Sequence, residues 1–339
     1  MQSLKSKFII GMIRNRHLFK FKLKPEVIDE HFDVEKFRKE VDDASKKTEK
    51  IPEAIQVLPT KIQCHFKQPN DFDSQIPWSF SNSKEHSQGS ISQNPSMYAE
   101  WLNHKDAPKD KVILYIHGGG FMSGSCLTHR GHVSKFVMGT GINALLFDYR
   151  LAPEHPFPAA LDDCVTAYLF LLKEGYLLEN ILICGESAGG TLTLSTLKAL
   201  REKDIPLPKA AVSISPVTDL SCQAESFKTN AKHDIAPMNS WSVWTSYYIG
   251  DSDYKNEYLS PQFGDLSKLP HIYLCIGTHE IHLDDTVAFA KKASDQGTPI
   301  TLKKWENMVH AFPILSPLFP EAKEAMDDIC GFIRMKLYK

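Results

Sequence analysis

Ile181-Leu182-Ile183-Cys184-Gly185-Glu186-Ser187-Ala188-Gly189-Gly190 is the stretch on which the fold turns. An apolar, β-rich run enters it and a helical pattern leaves it. Between them lies Gly-x-Ser-x-Gly, and the strand, turn and helix around it are what give that pentapeptide meaning. A serine on so sharp a turn holds its hydroxyl clear of the sheet. Gly185 and Gly189 leave room for neighbouring backbone, and the Ala188 amide opens a helix, where it can point at an anion. A tight turn with an inert serine is the plain alternative, so the rest of the chain has to supply chemical partners.

Outward from this turn, short apolar runs alternate with longer helical patterns. The runs are Val112–Ile116, 144–147, 181–184, Ala210–Ile214, 272–276 and 300–302. Helices are expected near 158–173, 188–203, 286–296 and 321–336. Strand and helix in alternation predict an α/β fold, a mostly parallel sheet with helices on both faces. The interval between Ser215 and His271 is too long for a bare connection and holds Trp241, Trp244, Tyr247 and Tyr248. It reads as a cap inserted at about 217–262. Its aromatics suit an acyl pocket and a core-packed helix face equally.

Residues 1–53 read as a separate N-terminal helical cap or arm, ahead of a main domain at 54–339. The arm begins with Lys5, Lys7, Arg14, Arg16, Lys20, Lys22 and Lys24 and no acid among its first 24 residues. A helix packed on the core is the favoured reading, and a helix lying on a membrane surface is the rival. A second amphipathic helix is expected within 25–53. The Ser, Asn, Gln and Pro of 68–93 read as loop.

The 339 residues carry a net charge of −2, which argues against a dedicated nucleic-acid binder. The apolar patch 8–13 is cut by Arg14, too short for a secretory signal, and no run is long enough to span a bilayer. Seven cysteines with no Cys-x-x-Cys pair, two of them (Cys184 and Cys275) in strand-like runs, suggest reduced, buried thiols in a cytoplasmic protein.

His117-Gly118-Gly119-Gly120-Phe121 follows the run Val112–Ile116. Consecutive glycines free backbone amides to converge on one oxyanion, as acyl transfer requires. A phosphate loop is excluded by Ser123, where Gly-x-Gly-x-x-Gly needs glycine. A serine nucleophile also needs a base, and a carboxylate to orient that base, in the chain order serine, acid, histidine. Beyond the run 272–276 stands Gly277-Thr278-His279-Glu280-Ile281-His282-Leu283-Asp284-Asp285, and beyond 300–302 stands His310. His310 is a better base than His271, His279 or His282 because it follows the last strand. His279 and His282 are one residue too close for the helical zinc motif H-E-x-x-H, so no metal is expected. His129 suits bracing of the glycine loop, as Tyr149 and Arg150 suit bracing of the turn after their strand.

On five motifs the chain resembles the hormone-sensitive-lipase-like branch of the α/β-hydrolases, the bacterial type IV esterases. They are the His117–Phe121 run, Asp148-Tyr149-Arg150-Leu151-Ala152-Pro153-Glu154-His155-Pro156-Phe157-Pro158-Ala159-Ala160, the turn around Ser187, Ser215-Pro216-Val217-Thr218-Asp219-Leu220, and His310-Ala311-Phe312. The resemblance implies an α/β-hydrolase fold with a helical cap, Ser187 as nucleophile, His310 as general base, and Gly118, Gly119 and Ala188 as oxyanion donors. The branch commonly carries D-P-L-x-D after this strand. Here Glu280 stands at its catalytic position and Asp284 at its second acid, so Glu280 is the expected triad acid and Asp284 the alternative.

The function implied is a serine carboxylic-ester hydrolase for small or short-acyl esters, working through an acyl-enzyme without cofactor or metal. A lactone hydrolase or amide deacetylase with the same triad is the alternative. A silent small-molecule receptor, of the plant gibberellin type, is more remote because His310 is present. Members of the branch often pair through an edge strand, so the resemblance admits a homodimer.

Overall fold

A computed structural model describes residues 2–15, 28–29, 31–48, 50–63, 96–236 and 239–338. In chain order these residues form α1 (Leu4–Arg14), α2 (Val34–Thr48), β1 (Ile55–Gln63), β2 (Ser96–His104), β3 (Val112–Ile116) and α3 (Cys126–Thr140). Next come β4 (Asn143–Phe147), α4 (Ala159–Lys173), β5 (Ile181–Glu186), α5 (Ala188–Glu202) and β6 (Ala210–Ile214). The chain closes with α6 (Glu225–Thr229), α7 (Ser240–Ile249), β7 (His271–Gly277), α8 (Leu283–Asp295), β8 (Ile300–Trp305) and α9 (Pro320–Leu337). Arg16, Lys20, Lys22 and Lys24 of the basic arm, and the loop 68–93, lie outside the described residues.

The eight strands make one sheet in the order β1-β2-β4-β3-β5-β6-β7-β8. From β4 to β8 every pairing is parallel, while β1 pairs with β2 and β2 with β4 in antiparallel fashion. Side chains alternate between two cores, as strand geometry requires. On one face Val112, Leu114 and Ile116 pack with Leu161, Leu171, Leu197 and Phe289 of α4, α5 and α8. On the other, Ile113 and Tyr115 pack with Phe136 of α3 and Ile329 and Ile333 of α9. Burial on both faces is why these strands read as continuous apolar runs.

Four elements depart from the sequence reading. β1 and β2 were not expected; β1 carries Pro59 and both faces of it are partly exposed, so it shows no clean alternation. Helix α3 was also missed. His129, Gly131, His132 and Gly139 dilute its apolar pattern, and its start is a capping box in which Ser125 pairs with Thr128 rather than with a Glu or Gln. Helix α8 begins at Leu283, three residues earlier than expected.

The Pro-rich loop between β4 and α4 is held by Arg150. Its guanidinium grips the buried Asp163 carboxylate at 2.8–3.0 Å, and the Arg150 amide donates to the same group at 2.8 Å. Asp163→Ala strands these donors, so it is expected to lower stability by about 3 kcal/mol. Urea unfolding checks this, and an unchanged midpoint would contradict it.

Candidate active site

Parallel register aligns the carboxyl ends of β3, β5, β6, β7 and β8 on one edge of the sheet. Ser187 follows β5 directly at φ 59° and ψ −125°. For a residue with a side chain this conformation costs about 1–3 kcal/mol, and it persists only where surroundings over-determine it. Here the Ser187 amide donates to the Ile214 carbonyl at 2.8 Å and the Thr191 amide to the Ser187 carbonyl at 3.1 Å. A Cβ on Gly189 would land on the Ile116 and His117 carbonyl groups, and one on Gly185 on the Gly189 carbonyl. Glycine is thus required on both sides of the turn.

His310 Nε2 lies 2.8 Å from Ser187 Oγ, and His310 Nδ1 lies 3.1 Å from Glu280 Oε2. Glu280 is fully buried, and its other oxygen accepts the Gly277 amide at 2.6 Å and the Ser215 hydroxyl at 2.8 Å. Asp284 is turned elsewhere: its carboxylate accepts the Ser226 amide at 2.8 Å, tying α8 to α6. Burial opposes charge at both ends of the Glu280–His310 pair. It pushes the Glu280 carboxyl up, and alone it would push His310 down. The hydrogen bond and charge of Glu280 outweigh burial at the imidazole and raise His310 above its ordinary range.

Two polar residues that the sequence reading passed over join the loops. Ser215 Oγ donates to Glu280 and accepts the Ala311 amide at 3.0 Å. Buried Asp234 accepts the Ile281 amide at 3.0 Å and the His310 amide at 2.9 Å. Ser215 opens one of the five motifs, so a signal existed; Asp234 belongs to no recognisable pattern.

The glycine loop requires a correction. Gly118 was expected as an oxyanion donor, but its amide donates to Glu186 Oε1 at 2.6 Å. An amide spent on a buried carboxylate is not free for an oxyanion. Glu186 also takes the Tyr115 hydroxyl, and His129 Nε2 stands 3.1 Å away. Burial disfavours the Glu186 anion, yet these contacts outweigh it and hold its pKa below the usual range. His129 therefore braces the loop through Glu186. The Tyr149 hydroxyl braces it directly, donating to the His117 carbonyl at 2.9 Å. Among the described residues no acceptor takes the Gly119 or Gly120 amide, and the Ala188 amide is the first of α5.

Helix α7 divides its aromatics between the core and the carboxyl edge of the sheet. Tyr248 stacks on Phe121 in the core at 4.1 Å. Trp241 stands edge-on to His310 with ring centres 5.3 Å apart, and a Cβ on Gly120 would meet Trp244 Cε3 at 2.7 Å. The two indoles thus stand against His310 and against the glycine loop. On the outer side, Phe37 of α2 meets Trp244 at 6.2 Å. Arg38 of α2 donates to the Met122 and Ala152 carbonyls at 2.6 and 2.7 Å.

A family profile described as the alpha/beta hydrolase fold matches residues 113–314. An acetyl-hydrolase of Streptomyces hygroscopicus is 36% identical over 238 residues, 70% of this chain and 79% of its own length. An esterase of Acinetobacter venetianus is 34% identical over 228 residues, 67% and 75% of the two chains. The crystal structure of an esterase from the bacterial hormone-sensitive lipase family superposes with a TM-score of 0.81, at 31% identity over 99% of each chain.

A histidine that has already gained a proton cannot take the serine's. Hence kcat/KM on an ester should rise with pH through a midpoint above 6.5, because the His310 pKa is raised. Glu280→Gln should move that midpoint down and lower kcat by about 10³–10⁴-fold, whereas Asp284→Asn should do neither. Loss of turnover in Asp284→Asn with Glu280→Gln near wild type would place the acid wrongly.

Proposed function

The chain belongs to the α/β-hydrolase fold family, as an ester hydrolase of the hormone-sensitive-lipase type, and on that premise we propose how its residues divide the work. Ser187 Oγ attacks the ester carbonyl while His310 Nε2 takes the hydroxyl proton. Glu280 holds the imidazole in the tautomer with hydrogen on Nδ1 and stabilises the imidazolium that forms. The oxyanion is received by the amides of Gly119, Gly120 and Ala188, and each such donor contributes about 3 kcal/mol of transition-state stabilisation. His310 then returns its proton to the leaving alcohol, an acyl-Ser187 remains, and the same base activates water to release the acid. The continuous chain of contacts from Ser187 through His310 to Glu280 carries this reading.

The substrate class follows from the wall over the serine. Trp244 turns its Cδ2–Cε3 edge to Gly120 and shortens the reach on the glycine-loop side, which supports small acyl groups, while Trp241 stands against His310 on the side of the leaving alcohol. The name of the Streptomyces relative, acetyl-hydrolase, agrees with this. Helix α2 and the segment 217–262 act as the cap over the strand ends, joined through Phe37 and Trp244. The N-terminal arm is read as part of that cap. Ser3 and Ser6 of its α1 region bind Glu321, and Ile10 is buried. No helix among the described residues is long and apolar enough to cross a membrane. Six described cysteines are free and five of them buried, which supports a reducing, cytoplasmic compartment. A homodimer paired through an edge strand would use β1 or β8, the two ends of the sheet.

Hydrolysis of a p-nitrophenyl ester series from two to sixteen acyl carbons tests the reading. Turnover is expected for the shortest chains and should fall at least about 10⁴-fold in Ser187→Ala. Equal activity in the variant would remove Ser187 from the mechanism. A preference for the longest chains would overturn the pocket assignment.

A further inference from the structure

We propose that His282, together with the indole N–H groups of Trp241 and Trp244, forms a polar subsite beside the catalytic base that takes a neutral hydroxyl on the alcohol half of the ester. The inference rests on the function proposed above and specifies its substrate.

His282 is fully buried, and neither ring nitrogen has a hydrogen-bond partner among the described residues. The buried Nε1 atoms of Trp241 and Trp244 have none either. Buried polar atoms normally find partners, so three neighbouring side chains without one are not explained by packing. They form one group: Trp241 lies 4.5 Å from His282 and 5.6 Å from Trp244, ring centre to ring centre. The group abuts the chemistry, because His310 is 5.3 Å from Trp241 and 5.8 Å from His282.

His310 must return its proton to the leaving oxygen, so the alcohol half of the ester lies on its side of the site. The ligand's character follows from the groups that would meet it. Burial first, and then the neighbouring His310, hold the His282 pKa well below the ordinary range, so the ring is neutral. A neutral imidazole offers one donor and one acceptor. A hydroxyl accepts one hydrogen bond and donates another, which matches that pair. The indoles add donors only. These three side chains bring no fixed positive charge for a carboxylate and no acceptor beyond a single nitrogen for an ammonium. Monoesters of diols and other polyols are the class that fits. His282 stands where the D-P-L-x-D pattern has leucine, so an apolar side chain is compatible with the backbone at this position.

The test compares two acetates that differ by hydroxyl against methyl, 2-hydroxyethyl acetate and n-propyl acetate. Each kcat/KM is divided by the ester's hydroxide-catalysed rate. Wild type should favour the hydroxy ester by about tenfold, and His282→Leu should bring the ratio near one, chiefly through KM. Trp244→Phe, a change at a half-buried position, should lower the same ratio. A merely structural role for either residue would move both esters alike and leave the ratio where it was. An unchanged ratio in both variants, or no preference in wild type, overturns the subsite alone. Absence of turnover of either acetate by folded wild type would overturn the esterase function with it.

Discussion

A serine held at φ 59° is the constraint on which the catalytic edge depends. The conformation lifts Oγ off the end of β5, and it survives because backbone on every side allows nothing else. Ile214 takes the Ser187 amide, while the backbone around Ile116 and His117 leaves no room for a Cβ at position 189. The parallel sheet makes this crowding possible. Its strands deliver β3, β5 and β6 in register, so three chain ends meet within van der Waals reach of one turn. A small strain at one residue is thereby offset by the packing of a whole sheet.

The same edge carries three carboxylates whose work is to hold loops still. Glu186 ties the glycine loop to β5, Asp234 ties the loop after β7 to the loop after β8, and Glu280 holds the His310 ring. Each is buried, so each would be costly without its donors. Satisfied, they fix position more firmly than apolar contact could, because hydrogen bonds set direction as well as distance. Ser215 belongs to this set: one hydroxyl serves both Glu280 and Ala311, so the acid and the base are positioned by a common neighbour.

Much of this was legible in the chain. The six central strands and the four main helices showed because strands buried on two faces, and helices packed on them, write long apolar patterns. Ser187 and His310 showed because their motifs need glycine and chain order. What stayed hidden depends on contacts between distant residues. Glu186 occupies a variable position in its pentapeptide, and no local rule says that it will take the Gly118 amide; hence Gly118 read as a free donor. Asp234 sits in a polar stretch of the cap segment, and only the fold brings it to His310. β1 is half-exposed and interrupted by Pro59, so its pairing with β2, across a long interval of sequence, left no periodic trace.

The central claim is that hydrolysis passes through an ester of Ser187. Its most direct test is acid quenching of the enzyme within the first turnover of p-nitrophenyl acetate, followed by peptide mapping by mass spectrometry. The account predicts one added acetyl group on the peptide that contains Ser187, which disappears as turnover completes. An unmodified Ser187 peptide during active turnover, or an acetyl group carried by another residue, would contradict it.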